Sequence, residues 1–108
     1  MEKLEELMKE IDNFNKERDW DKFHSPENLS KSISIEAAEL LECFQWDSDN
    51  FDLGAVKEEL ADVIIYCLQL SSRLHVDPVN ICKEKMKKNA EKYPKEKAKG
   101  NAIKYDKL

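Results

Sequence analysis

Apolar residues recur at three- and four-residue spacing through most of this chain, and the pattern predicts four helices. Leu4, Leu7, Met8, Ile11 and Phe14 share one face, which places a first amphipathic helix from about Glu2 to Arg18. A polar connector follows, Asp19-Trp20-Asp21-Lys22-Phe23-His24. Ser25-Pro26-Glu27 then reads as a helix start, with serine as cap, proline in the first helical position and glutamate at the positive end of the dipole. That start opens a second helix, about Pro26 to Phe44. Gln45 to Gly54 reads as an acidic loop, and a third helix runs from about Ala55 to Leu74. Asp77-Pro78 repeats the cap-plus-proline signal and begins a fourth helix that Pro94 ends at about Tyr93. On it Val79, Cys82, Met86 and Asn89 share a face, and Lys85, Asn89 and Lys92 stack along adjoining turns. Residues 95–108 are rich in lysine and poor in apolar side chains. The expected organisation is a helical domain, 1–94, with a lysine-rich tail, 95–108.

Two acidic words interrupt the apolar stripes, Glu36-Ala-Ala-Glu39 and Glu59-Leu-Ala-Asp62. At ~100° per residue, Leu29, Ile33, Leu40 and Phe44 form one stripe, with Glu36 in its middle and Glu39 at its edge. Val56, Leu60, Val63, Cys67, Leu70 and Leu74 form a second, bordered by Glu59, Tyr66 and Asp62. Acids aimed at a helix seam are costly to desolvate unless a positive charge neutralises them. Four carboxylates with no His or Cys beside them favour a hard, oxygen-seeking cation, Mg²⁺ first. A di-iron bundle would need Glu-x-x-His pairs, and His24 and His75 stand outside both words. The plain alternative is a pair of solvated surface acids, because 38% of the chain is charged. One such pair would favour that alternative; two pairs, both beside apolar stripes, favour the cation.

Composition narrows the class. The chain has 108 residues, 2 Gly and 3 Pro, which fits one all-α domain. A net charge of −5 with mixed signs argues against a nucleic-acid surface. No apolar run nears about 18 residues, and Met1 leads directly into acidic and basic residues, so neither membrane nor export is expected and a cytoplasmic location is. Cys43, Cys67 and Cys82 form no CxxC and are expected to be buried, reduced thiols. Asp47-Ser-Asp49-Asn-Phe51-Asp52 resembles a calcium loop only superficially, since Phe51 and Asp52 occupy the places of an oxygen ligand and a turn glycine. Trp20, His24 and Trp46 flank the second helix. Aromatic faces near a phosphate-binding cation suit a nucleobase, although both tryptophans could equally close the ends of a bundle.

The spacing Glu-x-x-Glu, 19 residues, Glu-x-x-Asp resembles the signature of MazG-like nucleotide pyrophosphohydrolases. Glu17 to Leu29, Phe44-Gln-Trp46, Asp62 to Tyr66 and Lys92-Tyr93-Pro94 resemble the small dCTP pyrophosphatase branch of that family. The resemblance implies an all-α bundle assembled from helices shared within a homodimer or homotetramer, and Mg²⁺-dependent cleavage of a nucleoside triphosphate to monophosphate and pyrophosphate. It implies Glu36, Glu39, Glu59 and Asp62 as catalytic metal ligands, and Trp20, His24, Trp46 and Tyr66 around base and sugar. It also implies Lys85, Asn89 and Lys92 near the phosphates, with Lys104-Tyr105 closing over the site. dCTP or a modified dCTP is the expected substrate. The alternatives are dUTP or phosphoribosyl-ATP hydrolysis, or a non-catalytic helical interaction module whose acids only solubilise it.

Overall fold

The computed structural model describes residues 2–103, so Lys104 and Tyr105 lie outside the described residues. The regular structure of the described residues is all helix: α1 (Glu2–Glu17), a single 3₁₀ turn (Asp21–Phe23), α2 (Pro26–Glu42), α3 (Leu53–Arg73), α4 (Pro78–Lys92) and the short α5 (Lys95–Ala98). It divides after His75 into two compact units. No described helix is long and apolar enough to cross a membrane.

In the first unit α2 packs along α3, and α1 packs on α3 to a lesser extent. The helix starts follow from their caps. Ser25 Oγ accepts the Asn28 backbone N–H at 3.1 Å, with Pro26 in the first turn. Asp52 Oδ1 accepts from Gly54 N at 2.9 Å and from Ala55 N at 3.4 Å, so α3 begins at Leu53, earlier than the apolar pattern placed it. At the other end of α2, helix stops at Glu42. Phe44 leaves the helix to meet Phe51, with ring centroids 4.9 Å apart, and this contact ties the acidic loop back on itself.

The end of α1 positions an aromatic side chain. Trp20 N–H donates to Asn15 O at 2.9 Å and Asp19 N–H to Lys16 O at 3.1 Å, the paired bonds of a Schellman motif. Asp19 occupies the left-handed position that the motif requires, at φ 55°. The reversal returns Trp20 to its own helix, where it meets Phe14 edge to face at 5.8 Å.

The apolar core of the described chain is small: Ile11, Leu29 and Leu68 are buried, Leu29 to 1% exposure. The inward face of α3 is rotated from the expected stripe. Leu60, Cys67 and Leu74 are exposed, whereas Glu59 and Tyr66 are half-buried and Leu68, Gln69 and Ser71 are buried. Glu59 and Tyr66 take the inner side beside α2, and the apolar edge of Leu60, Cys67 and Leu74 is left outward. The expectation of buried thiols is corrected accordingly. All three cysteines are free, but Cys67 and Cys82 are exposed and only Cys43 is half-buried.

In the second unit, Asp77 Oδ1 caps α4 through Val79 N at 2.8 Å and Asn80 N at 3.4 Å. Tyr93, before Pro94, leaves helical geometry and ends it. α4 buries no residue completely; Met86 and Cys82 are exposed and Asn89 is half-buried.

Candidate functional site

The two acidic words meet where α2 packs on α3. Ligand oxygens of Glu36, Glu59 and Asp62 all lie within 4.8 Å of one another. Glu39 is exposed at the rim, and its carboxylate reaches those of Glu36 and Glu59. Glu36 Oε2 and Glu59 Oε2 are shut off from water and accept no hydrogen bond. An acceptor oxygen shut off from water without a partner is unfavourable, more so when charged. Two such oxygens on acids whose ligand atoms cluster in one seam are disfavoured without a neutralising positive charge.

The titration of these groups reports the same crowding. Burial, then the contact with Glu39, then the charges of Glu39, Asp62 and Glu59 push the Glu36 carboxyl up to about 7. Burial and the Glu39 contact raise Glu59 as well, against a small opposing contribution from Glu36. Burial raises the Tyr66 phenol, with Glu36, Asp62 and Glu39 adding to it, so the hydroxyl stays protonated and can donate. The donor set is all oxygen, carries excess negative charge and has two secluded oxygens lacking partners. These residues fit a hard divalent cation.

Beside the acids opens a cleft of about 390 Å³ between α1, α3 and the connector. Leu7, Ile11, Phe14 and Ile65 give it an apolar lining; Trp20, His24, Tyr66 and Asp62 border it. Asp62 therefore belongs to both the acid cluster and the cleft. A second, polar cleft of about 340 Å³ lies behind, sharing Asn15, His24 and Gln69 with the first.

Seven of the expected site residues thus fall together in the first unit: the four acids, Trp20, His24 and Tyr66. Trp46 does not join them. It sits in the loop after α2, 89% exposed, and lines neither cleft. Lys85, Asn89 and Lys92 lie on α4 of the second unit, where Lys85 Nζ donates to Asn89 Oδ1 at 3.0 Å. Two residues went unread in the sequence, Asn15 and Gln69, which are 4% and 9% exposed. Gln69 Oε1 is a third buried oxygen without a partner. Its signal was present: Gln69 follows Asp62 by two turns and Tyr66 by one, a lone amide between Leu68 and Leu70.

Residues 31–108 match the model of the MazG-like family. The chain is 39% identical to dCTP pyrophosphatase 1 of Mus musculus and 36% to that of Homo sapiens, in each case over 97% of this chain and 67% of the relative. A crystal structure of a pyrophosphatase from Archaeoglobus fulgidus superposes with a TM-score of 0.75 at 44% identity, covering 83% of this chain and 91% of that one.

Proposed function

The chain belongs to the MazG-like family, and from that premise we propose that it is a cytoplasmic nucleotide pyrophosphohydrolase. It converts dCTP, or a modified dCTP, to the monophosphate and pyrophosphate with Mg²⁺ as its cofactor. One observation carries the reading: two secluded, unpaired carboxylate oxygens converge with Asp62 at the mouth of an aromatic cleft. The relatives named for dCTP hydrolysis support the choice of nucleotide.

Glu36, Glu39, Glu59 and Asp62 would hold the cation, which when bound offsets the triphosphate charge, polarises phosphorus and lowers the pKa of bound water. The remaining work falls to the protein. Packing of α2 on α3 fixes the four carboxylates before substrate arrives, so little reorganisation is left for the reacting state. Asp62, shared by cluster and cleft, sets the register between phosphates and nucleoside. Trp20, held by the α1 reversal, offers a ring to the base, and the protonated Tyr66 hydroxyl offers a donor to the sugar side. His24 supplies a polar group at the same wall. Lys85, Asn89 and Lys92 are assigned to the phosphates, and Trp46 to the base, by resemblance to the family.

Assembly into a homodimer or homotetramer is part of the proposal. Ile35, Leu41, Leu60 and Ile64 are exposed on α2 and α3, an apolar expanse that association would cover. The test is pyrophosphate release from each common NTP and dNTP, with Mg²⁺ and with chelator. Release favouring dCTP, abolished by chelation, is the expected result. No release from any nucleotide in saturating Mg²⁺ would overturn the reading in favour of a non-catalytic module.

A further inference from the structure

We propose that Gln69 reads the base, its side-chain oxygen accepting a hydrogen bond from the 4-amino group of cytosine. The inference rests on the hydrolase reading above and adds a specificity residue to it. Asp62, Tyr66 and Gln69 occupy successive turns of one face of α3. From Asp62 to Gln69 the helix rises about 10 Å, the reach of a nucleoside from its 5′-phosphate to the far edge of its base. With the phosphates at the acid cluster and the base against Trp20, that far edge meets Gln69 at the inner wall of the cleft.

The state of the amide points to a ligand. Gln69 is 9% exposed, and its Oε1 is sealed from water without a donor. A structural glutamine at such depth would pair with backbone or a neighbouring side chain. The terminal torsion of glutamine is soft, so the oxygen turns toward the cleft at little cost. Cytosine presents an amine at its 4-position, and uracil and thymine present a carbonyl oxygen. Cytosine therefore gives the Gln69 oxygen the partner it lacks, whereas the other two can be met only by the amide nitrogen, which leaves that oxygen sealed and unpaired as it is in the free protein. Trp20 can only grip a ring of either kind, because stacking tolerates every base.

Two variants separate this from a packing role, with kcat/KM measured for dCTP and dUTP in saturating Mg²⁺. Gln69→Leu removes the amide and its unpaired oxygen, so it folds at least as stably, and the dCTP/dUTP ratio should fall roughly tenfold or more. Gln69→Glu presents only acceptors, so it slows both substrates through its charge yet keeps or raises the ratio. An unchanged ratio in Gln69→Leu overturns the inference, as does a Gln69→Glu enzyme that prefers dUTP. An active wild type with no preference for dCTP overturns it too. A wild type inactive on every nucleotide instead removes the hydrolase reading beneath it.

Discussion

Glu36 on α2 and Glu59 on α3 each bury one carboxylate oxygen in the same seam, and neither oxygen accepts a hydrogen bond. Stability alone would replace such a pair, since like charges brought together out of water repel and lose solvation. The pair fits the cation proposed above, whose positive charge would relieve that repulsion.

That repulsion has a pH signature. Glu36 binds its proton more tightly folded, near pH 7, than at its ordinary value of 4.5. Between those values the folded state holds more protons than the unfolded chain, so stability of the metal-free protein falls as pH rises. Thermal melts in chelator should show Tm declining from about pH 5 to about pH 8, with the decline smaller in Glu36→Gln. Mg²⁺ should raise Tm most at the alkaline end in wild type and much less in the variant. A metal-free Tm whose pH dependence is the same in Glu36→Gln as in wild type would remove the stored repulsion.

Glu39→Gln and Asp62→Asn should each abolish detectable turnover while leaving the helical fold intact. Both side chains are exposed at the margin of the cluster, so a neutral isostere disturbs no packing. Loss of one ligand from the cation site should cost several kcal/mol in the reacting state, roughly a thousandfold in rate. Circular dichroism and pyrophosphate release on the same samples check this; near-normal kcat at saturating Mg²⁺ would take that residue out of the cage.

The helices and the acid pairs were legible because each rests on local rules: apolar spacing, proline after a capping side chain, carboxylates one turn apart. The rotation of α3 was not. It depends on Glu59 and Tyr66 facing inward, residues that the apolar count placed only at the border of the stripe. Gln69 escaped for the same reason, since an amide adds nothing to an apolar stripe. The start of α3 was misplaced by the same emphasis on apolar positions, which passed over Asp52 as a cap.

Asp19 holds a left-handed backbone that glycine adopts without steric cost, at φ 55°. Its ion pair with Lys22 at 2.9 Å is solvent-exposed and contributes little. Asp19→Gly should therefore stabilise the α1 reversal by up to about 1 kcal/mol, a gain of a few degrees in Tm. A lower Tm would mean that the Asp19 side chain contributes more to the reversal than its backbone costs.

The two tryptophans make opposite predictions in the single chain. Trp20 borders the cleft, braced edge to face by Phe14. Trp20→Ala should raise KM for dCTP roughly tenfold or more, from ~1–3 kcal/mol of lost stacking, and should also loosen the turn. Trp46 is 89% exposed, so Trp46→Ala should leave the fold and Tm of the isolated chain unchanged. Its effect on KM then becomes a readout of assembly. If Trp46→Ala raises KM at concentrations where light scattering shows an oligomer, the tryptophan reaches a base only within that assembly. If KM stays at the wild-type value in the oligomer, Trp46 leaves the site, and the pocket reduces to Trp20, Tyr66, His24 and the amide behind them.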